Sequence, residues 1–263
     1  MKYLLFPFRL IWRVWFYFLM LTTILLMAPL LLVLLSDEKY YNSFWKLMRI
    51  WSFLLIYAMG FRLKIDKHQK TDPKKSYMFI ANHASLLDPW IMIAMNKNPL
   101  LFVGKKELVK LPVFGFFYKK AVVMVDRSNP KSRKEVYARI KKRLDDGLSI
   151  AIFPEGLVPT ENVALAPFTN GAFSLAIEHQ MPIVTQVYYD AKRLFSWDFF
   201  KGHPGVFRVK QLEFLNTTGL TMDDKNTLKQ QSFDLLHNEL LKDKLYMKDT
   251  NQPNNEREFK SPL

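Results

Sequence analysis

An uncharged run of 22 residues near the amino terminus, Val14 to Leu35, most constrains what this chain can fold into. About 20 apolar residues are enough to cross the hydrocarbon core of a bilayer. A core helix of a soluble protein usually keeps a polar face. A signal peptide would end in a small-residue cleavage site, whereas Ser36, Asp37 and Glu38 follow here. The run therefore predicts a membrane-associated helix.

A second apolar stretch, Phe44 to Phe61, follows after a short polar loop. The two stretches predict a helical hairpin, and we assign residues 1–61 to a membrane-anchoring helix pair. Trp45, Trp51 and Tyr57 are expected at the headgroup level, where aromatic side chains are enriched. The sequence leaves open whether the hairpin crosses the bilayer or dips into one leaflet.

Basic residues predict the orientation of the hairpin. Lys2, Arg9 and Arg13 are expected to precede the first helix, and positive charge is enriched on the cytoplasmic side of membrane proteins. This places the amino terminus in the cytoplasm. Because a hairpin returns the chain to the side from which it started, the remaining residues are expected on the cytoplasmic face as well.

The composition narrows the classes of partner. The chain of 263 residues has a net charge of +14 and no cysteine. The lack of cysteine excludes a disulfide scaffold, a cysteine nucleophile and a cysteine-ligated metal site. The charge predicts an anionic partner, which can be nucleic acid, a lipid surface or an acidic carrier protein. A nucleic-acid-binding protein would not need the apolar hairpin, so we expect no nucleic-acid partner.

Beyond the hairpin, strand-like and helix-like patterns alternate, which predicts an α/β fold with a central sheet flanked by helices. We assign this domain to residues 62–247 and expect a polar, disordered tail over residues 248–263. Arg62–Lys75 is a connector or an edge strand. The predicted strands are Tyr77–Ala81, Leu101–Val103, Ala121–Val125, Leu148–Phe153, Pro182–Tyr188 and Val206–Phe214. The predicted helices are Asp88–Met95, Ser132–Asp146, Gly171–His179 and Asn226–Leu245.

A chemically distinctive loop, Asn-His-Ala-Ser-Leu-Leu-Asp at positions 82–88, follows the first of these strands. Open α/β sheets place their sites at such carboxyl ends of strands. Across the turn, His83 and Asp88 can meet, and a hydrogen bond to Asp88 would leave the other imidazole nitrogen as a base. No serine or cysteine nucleophile accompanies the pair, so a substrate would have to supply its own hydroxyl. The alternative is that His83 only caps a turn and Asp88 only caps the helix.

A second loop, Phe-Pro-Glu-Gly at positions 153–156, follows the Leu148–Phe153 strand. It would place Glu155 at the carboxyl end of another strand. Taken alone, this tetrapeptide is equally compatible with an ordinary polar loop.

Together the motifs resemble the glycerolipid acyltransferase family, and within it the bacterial 1-acylglycerol-3-phosphate (lysophosphatidic acid) acyltransferases. Their order is Asn-His-x4-Asp, a Lys-x-Glu-Leu box at 105–108, Phe-Pro-Glu-Gly, and Met-Pro-Ile-Val at 181–184. The resemblance covers roughly Tyr77 to Tyr188 and extends to the helix pair. It implies a glycerol-3-phosphate-acyltransferase-like sheet and a location at the bacterial inner membrane.

The resemblance also implies a reaction and roles for single residues. An acyl chain would move from acyl-CoA or acyl carrier protein to the free hydroxyl of lysophosphatidic acid, giving phosphatidic acid. His83 would take the proton of that hydroxyl, and Asp88 would hold His83. No metal and no cofactor besides the acyl donor are implied. The positions that match substrate-binding residues of the family are Lys105, Arg127, Glu155 and Gly156.

One position departs from the family pattern. In the third motif, the family usually carries an arginine suited to a phosphate directly after Glu-Gly-x. This chain has Val158 at that position. Arginine binds phosphate through two parallel hydrogen bonds, and valine cannot. Either Lys105, Lys106 or Arg127 binds the phosphate, or the acceptor has none there. A lyso-aminolipid or another lysophospholipid is the alternative acceptor, and a catalytically inactive membrane scaffold is a more remote alternative.

Most of the excess charge lies between the two loops. From Leu101 to Arg143 there are 13 basic and three acidic residues, a net +10 of the total +14. We expect this segment to bind anionic headgroups and to dock the acyl donor, through the phosphates of coenzyme A or through an acidic carrier protein. A solvated helix face is the alternative. The residues that we assign to this patch are Lys106, Lys131, Arg133 and Lys134.

Overall fold

The computed structural model describes residues 6–125, 140, 144, 147–160 and 163–246. The strands in this part of the chain are β1 (Phe61–Lys67), β2 (Met78–Ala81), β3 (Leu100–Lys105), β4 (Val123–Val125), β5 (Ser149–Ile152), β6 (Ile183–Tyr188) and β7 (Gly205–Leu215). Its α-helices are α1 (Phe6–Leu34), α2 (Tyr41–Ala58), α3 (Asp88–Met95), α4 (Phe114–Ala121), α5 (Gly171–Glu178), α6 (Ala191–Leu194) and α7 (Lys225–Leu241). Short 3-10 segments lie at Glu38–Tyr40, Lys106–Lys110 and Met222–Asp224.

The strands form one sheet in the order β1-β7-β6-β2-β5-β3-β4. Neighbouring strands are parallel except β6 and β7, which are antiparallel. Because β1 and β7 run opposite to the other strands, the carboxyl ends of β6, β2, β5 and β3 meet at one edge of the sheet. Ligand sites of open α/β sheets lie at this edge.

The central strand β2 shows how the sheet divides the core. All of its residues are buried, and alternate side chains point to opposite faces. Phe79 packs into the apolar cluster of the α2 and α3 face, whereas Met78 and Ile80 pack into the cluster of the α5 and α7 face. The predicted α/β fold with helices on both faces is confirmed.

The first helix begins at Phe6, well before the uncharged run. Arg9 and Arg13 therefore lie inside α1, and the prediction that they precede the helix is wrong. Helices α1 and α2 run antiparallel, since Trp12 Nε1 donates to the Met59 carbonyl (3.0 Å) and Trp51 Nε1 donates to Thr23 Oγ1 (2.7 Å).

Two tryptophans of α2 are buried against the domain, although the sequence predicted them at the membrane surface. Trp45 and Trp51 are 3% and 4% exposed. Trp45 Nε1 donates to the Asn96 carbonyl (3.3 Å), and the Trp51 ring packs edge-on against Trp90, with 4.6 Å between ring centroids. The prediction that these two tryptophans lie among lipid headgroups is wrong, because they anchor α2 to α3. Tyr57 is exposed.

Two local differences concern the segment after β3. The structure has helix α4 where the sequence predicted no element, and the following strand consequently begins at Val123 rather than Ala121. The predicted Ser132–Asp146 helix lies outside the described residues except for Ile140 and Leu144, and so does the predicted tail. The predicted edge strand after residue 61 is β1, which pairs with β7.

Candidate active site

The loop after β2 is fixed by a side chain at its first position. The Asn82 amide donates to the Tyr188 carbonyl (3.0 Å), and its oxygen accepts from the Tyr188 N–H (2.8 Å). The Asn82 side chain thus makes the two hydrogen bonds that a neighbouring strand would make, and it connects the end of β2 to the end of β6. Pro89 lies in the first turn of α3, where a missing N–H leaves no helical hydrogen bond unmade.

His83 and Asp88 meet across this turn. His83 Nδ1 lies 2.9 Å from Asp88 Oδ2, and the same oxygen accepts from the N–H groups of Ala84 (2.6 Å) and Ser85 (2.7 Å). Asp88 is fully buried, whereas the His83 side chain keeps 19% of its surface exposed. When Nδ1–H donates to the carboxylate, Nε2 is left unprotonated and able to accept a proton.

The helix cap differs from the sequence prediction. Asp88 is the first residue of α3, and the cap position belongs to Leu87, which makes no side-chain capping bond. The Asp88 carboxylate instead turns back to the loop and to the imidazole. The interpretation in which Asp88 only caps the helix is therefore wrong, because its carboxylate accepts hydrogen bonds from the loop and contacts His83 instead.

Glu155 lies beneath the imidazole loop. The turn at 153–156 has Pro154 at its second position and closes with the Gly156 N–H donating to the Phe153 carbonyl (3.1 Å). Gly156 has φ +75, a left-handed conformation that favours glycine. Glu155 Oε1 accepts from the main-chain N–H of His83 (2.6 Å).

The Glu155 carboxylate is engaged by main chain on both oxygens. Oε2 accepts from the Ala166 N–H (2.8 Å), and only 4% of the residue is exposed. Burial raises the pKa of the Glu155 carboxyl to about 7, although the two N–H donors and the Lys192 ammonium oppose this rise. In this arrangement Glu155 positions the backbone of His83. A direct contact of Glu155 or Gly156 with substrate stays a prediction.

Phe153 completes the link between the two loops. Its ring stacks on the His83 imidazole, with 4.3 Å between ring centroids and an interplanar angle of 19°. The imidazole is therefore held by a hydrogen bond at Nδ1, by a ring at one face and by Glu155 through its main chain. These restraints leave Nε2 as the open position of the ring.

Hydrogen bonds of Ser85, which sequence reasoning missed, also hold the turn. Ser85 Oγ donates to the Phe195 carbonyl (2.7 Å) and accepts from the Leu87 N–H (3.1 Å). The Arg13 guanidinium of α1 lies 3.9 Å from the centroid of the Phe195 ring. It also donates to the main-chain carbonyls of Ser196 (2.5 Å), Asp198 (3.0 Å) and Lys201 (2.7 Å). The only sequence signal was a lone charge among apolar residues.

The other predicted site residues fall into two groups. Lys105 is the last residue of β3, at the same edge of the sheet, and Lys106 follows it on the exposed start of a 3-10 segment. Val158 is half-buried, two residues after Gly156. In the described part of the chain, no cluster of three or more His, Asp or Glu residues could hold a metal ion. The predicted residues that lie outside the described part are Arg127, Lys131, Arg133 and Lys134.

The raised pKa of Glu155 predicts a pH-dependent stability. The carboxyl has an ordinary value of 4.5 and a folded value of about 7. Its protonation therefore stabilises the fold fully below about pH 4.5, and this contribution is lost as the pH rises through 7. Thermal unfolding over this window should show a less steep decline of Tm in Glu155→Gln than in the wild type. The exposed control Glu178→Gln should follow the wild type, and a wild-type slope in Glu155→Gln would contradict the assignment.

The part of the chain that carries this site is similar to known proteins. Residues 62–189 match the family model described as Acyltransferase. The 1-acyl-sn-glycerol-3-phosphate acyltransferase of Limnanthes douglasii is 31% identical over 175 residues, which cover 65% of this chain and 60% of that protein. The beta form of the enzyme of that name from Homo sapiens is 30% identical over 172 residues, covering 64% and 61%. The chain thus spans about 60% of the length of these curated relatives.

A solved structure shares the fold over almost the whole described chain. The crystal structure of the 1-acyl-sn-glycerophosphate (LPA) acyltransferase from Thermotoga maritima superposes with a TM-score of 0.74. The match covers 92% of this chain and 97% of that chain at 16% sequence identity. At this identity the similarity establishes the fold alone.

Proposed function

We propose that this chain transfers an acyl group from a thioester donor to the free hydroxyl of lysophosphatidic acid, giving phosphatidic acid, because residues 62–189 match the acyltransferase family model. The observation that carries the proposal is the His83–Asp88 pair, 2.9 Å apart at the carboxyl end of the central strand. The pair has the geometry of a base and its orienting carboxylate. In the proposed reaction, the histidine of this pair accepts and returns the proton.

The reaction follows from the orientation of the imidazole. His83 Nε2 takes the proton of the acceptor hydroxyl while the hydroxyl oxygen bonds to the carbonyl carbon of the thioester. The tetrahedral intermediate then breaks its C–S bond, and the leaving thiolate receives the proton from Nε2. The Asp88 carboxylate stabilises the imidazolium that forms between these two steps. The lipid hydroxyl is the nucleophile, and no acyl-enzyme forms.

The acyl donor is acyl-CoA or acyl carrier protein. Both are anionic, and both fit the basic segment between the two motif loops, which carries a net +10 over Leu101 to Arg143. We assign donor docking to Lys106, Lys131, Arg133 and Lys134. The two donors differ in how much surface they can present to this segment, so a comparison of both is part of the test below.

The proposed location is the inner face of a bacterial inner membrane. Of the described helices, α1 alone is long and apolar enough to cross a membrane. Its outward side chains include Phe8, Ile11 and Leu26, which are 70%, 66% and 76% exposed. Yet α1 packs on the domain near both of its ends, at Arg13 and at Leu31, which are each 1% exposed. These contacts support a helix lying in one leaflet, beside a catalytic domain on the cytoplasmic side.

A panel assay tests the function. The purified protein is offered lysophosphatidic acid, other lysophospholipids and lyso-aminolipids, each with acyl-CoA and with acyl carrier protein as donor. We expect acylated product from lysophosphatidic acid. Product from lyso-aminolipids alone would favour the alternative acceptor that Val158 leaves open, and product from no acceptor would contradict the proposal.

Val158 offers a gain-of-function prediction. The resemblance implies an arginine at this position, and a guanidinium there could bind a phosphate through two charge-assisted hydrogen bonds. Val158→Arg should lower the KM for lysophosphatidic acid about tenfold, with little change in kcat. Val158→Leu serves as the matched apolar control and should leave the KM unchanged. A KM that does not fall in Val158→Arg would indicate that another cation already binds the phosphate.

A further inference from the structure

An exposed aromatic segment lies between α6 and β7. We call residues 195–201, Phe-Ser-Trp-Asp-Phe-Phe-Lys, the aromatic loop. Its root is buried, since Phe195 is 0% exposed, but Trp197 and Phe200 are 50% and 41% exposed. Large aromatic side chains clustered on a surface loop are unusual in a protein whose surface contacts only solvent.

The aromatic loop continues the outer face of α1. The Phe200 ring stacks on Phe6 with 4.7 Å between ring centroids, and Phe199 stacks on Tyr17 at 6.3 Å. Tyr17 and Phe6 are each 47% exposed. The rings of the loop and the outward side chains of α1 therefore form one contiguous apolar surface.

Basic groups lie at the same place. Arg9 of α1 donates to the Phe200 carbonyl (3.2 Å) and is solvent-exposed at that contact. The Lys201 side chain is 54% exposed and lies 3.3 Å from the Asp198 carboxylate. Aromatic rings beside Arg and Lys side chains match the headgroup region of an anionic bilayer, where rings lie at the interface and cations contact lipid phosphates.

We propose that the aromatic loop is a second membrane contact, with Trp197 and Phe200 inserted at the headgroup level of an anionic bilayer. The inference rests on the proposed membrane location of α1. The loop starts at Phe195, whose carbonyl accepts from Ser85, two residues from His83. Docking of the loop therefore brings the reactive imidazole close to the bilayer in which a lysolipid acceptor resides.

Single-cysteine labelling tests the contact in the full chain. Because the protein has no cysteine, each variant carries one label: Trp197→Cys on the loop, Leu26→Cys on α1, and Met222→Cys on the opposite layer near α7. Each variant is labelled with an environment-sensitive fluorophore and mixed with vesicles of phosphatidylcholine and phosphatidylglycerol, with and without bromine on the acyl chains. We expect brominated lipid to quench the labels at Trp197→Cys and Leu26→Cys but not at Met222→Cys.

The three labels separate two kinds of failure. Quenching at Leu26→Cys without quenching at Trp197→Cys would overturn the loop contact and leave the membrane location of α1 standing. No quenching at either position would overturn both. A loop that binds a protein partner instead of lipid would give the first of these results.

Vesicle affinity provides a second measurement. Trp197→Ser combined with Phe200→Ser should weaken binding to the same vesicles roughly tenfold, because two rings no longer leave water on binding. Met222→Ser combined with Leu245→Ser removes exposed apolar groups elsewhere and should leave the affinity unchanged. An unchanged affinity of the loop variant would overturn the proposal.

Discussion

Replacing His83 with alanine should lower kcat for acyl transfer by about a thousandfold, because the acceptor hydroxyl then loses its base. The fold should persist, since the imidazole is partly exposed and its main-chain N–H still donates to Glu155. The measurement is the initial rate of product formation, together with Tm to show that the variant is folded. His68→Ala, at an exposed position directly after β1, is the matched control and should keep the wild-type rate.

The same experiment with Asp88→Asn separates catalysis from structure. Asparagine has nearly the same shape, and its oxygen can still accept from the Ala84 and Ser85 N–H groups, so the turn should fold. It cannot stabilise an imidazolium by charge, and we expect kcat to fall at least about a hundredfold. If Asp88→Asn were fully active, the carboxylate would serve the turn alone. If His83→Ala kept the wild-type rate, His83 would not be the base of the reaction.

The second large effect is expected at Arg13. Its guanidinium is buried and donates to three main-chain carbonyls of the aromatic loop. Methionine would fill part of the volume but would remove all three of these hydrogen bonds. We expect Arg13→Met to destabilise the protein by about 3 kcal/mol, which corresponds to a fall in Tm of roughly 6–12 °C for a domain of this size.

Arg9→Met is the control for charge on α1. Arg9 is half-buried and makes one solvent-exposed hydrogen bond to the same loop, so its loss should change the stability by no more than about 0.5 kcal/mol. Thermal unfolding of both variants in the same detergent gives the comparison. Equal Tm values for the two variants would show that the buried guanidinium does not hold the loop. A lower kcat in folded Arg13→Met would further indicate that the Phe195–Ser85 contact transmits the change to the His83–Asp88 turn.

Local patterns were sufficient to predict the sheet and the contact between His83 and Asp88. The strand Tyr77–Ala81 was predicted from five consecutive apolar residues, and the structure buries all of β2. A strand in a parallel sheet is covered on both faces, so its sequence needs no alternation. The His83–Asp88 contact spans five positions across one turn, which is short enough to be argued from the chain itself.

Contacts between distant segments could not be predicted in this way. The uncharged run gave the wrong start for α1 because Arg9 and Arg13 looked like flanking charges. Arg13 can lie inside an apolar helix because carbonyls at positions 196–201 accept its hydrogen bonds. Trp45 and Trp51 had the composition of interfacial residues, and only the packing of α2 on α3 shows that they are buried.

By itself, the sequence determined an apolar helix pair, an α/β domain, and a histidine and an aspartate placed to meet after a strand. These features depend on hydropathy, periodicity and short spacing, which are properties of neighbouring residues. Only the tertiary structure decided that Glu155 supports His83 through its main chain, and that α1 reaches the His83–Asp88 turn through Arg13, Phe195 and Ser85. The physical reason is that these contacts use main-chain donors and acceptors. Every residue carries such groups, so a partner 72 or 183 positions away leaves no mark on the local sequence.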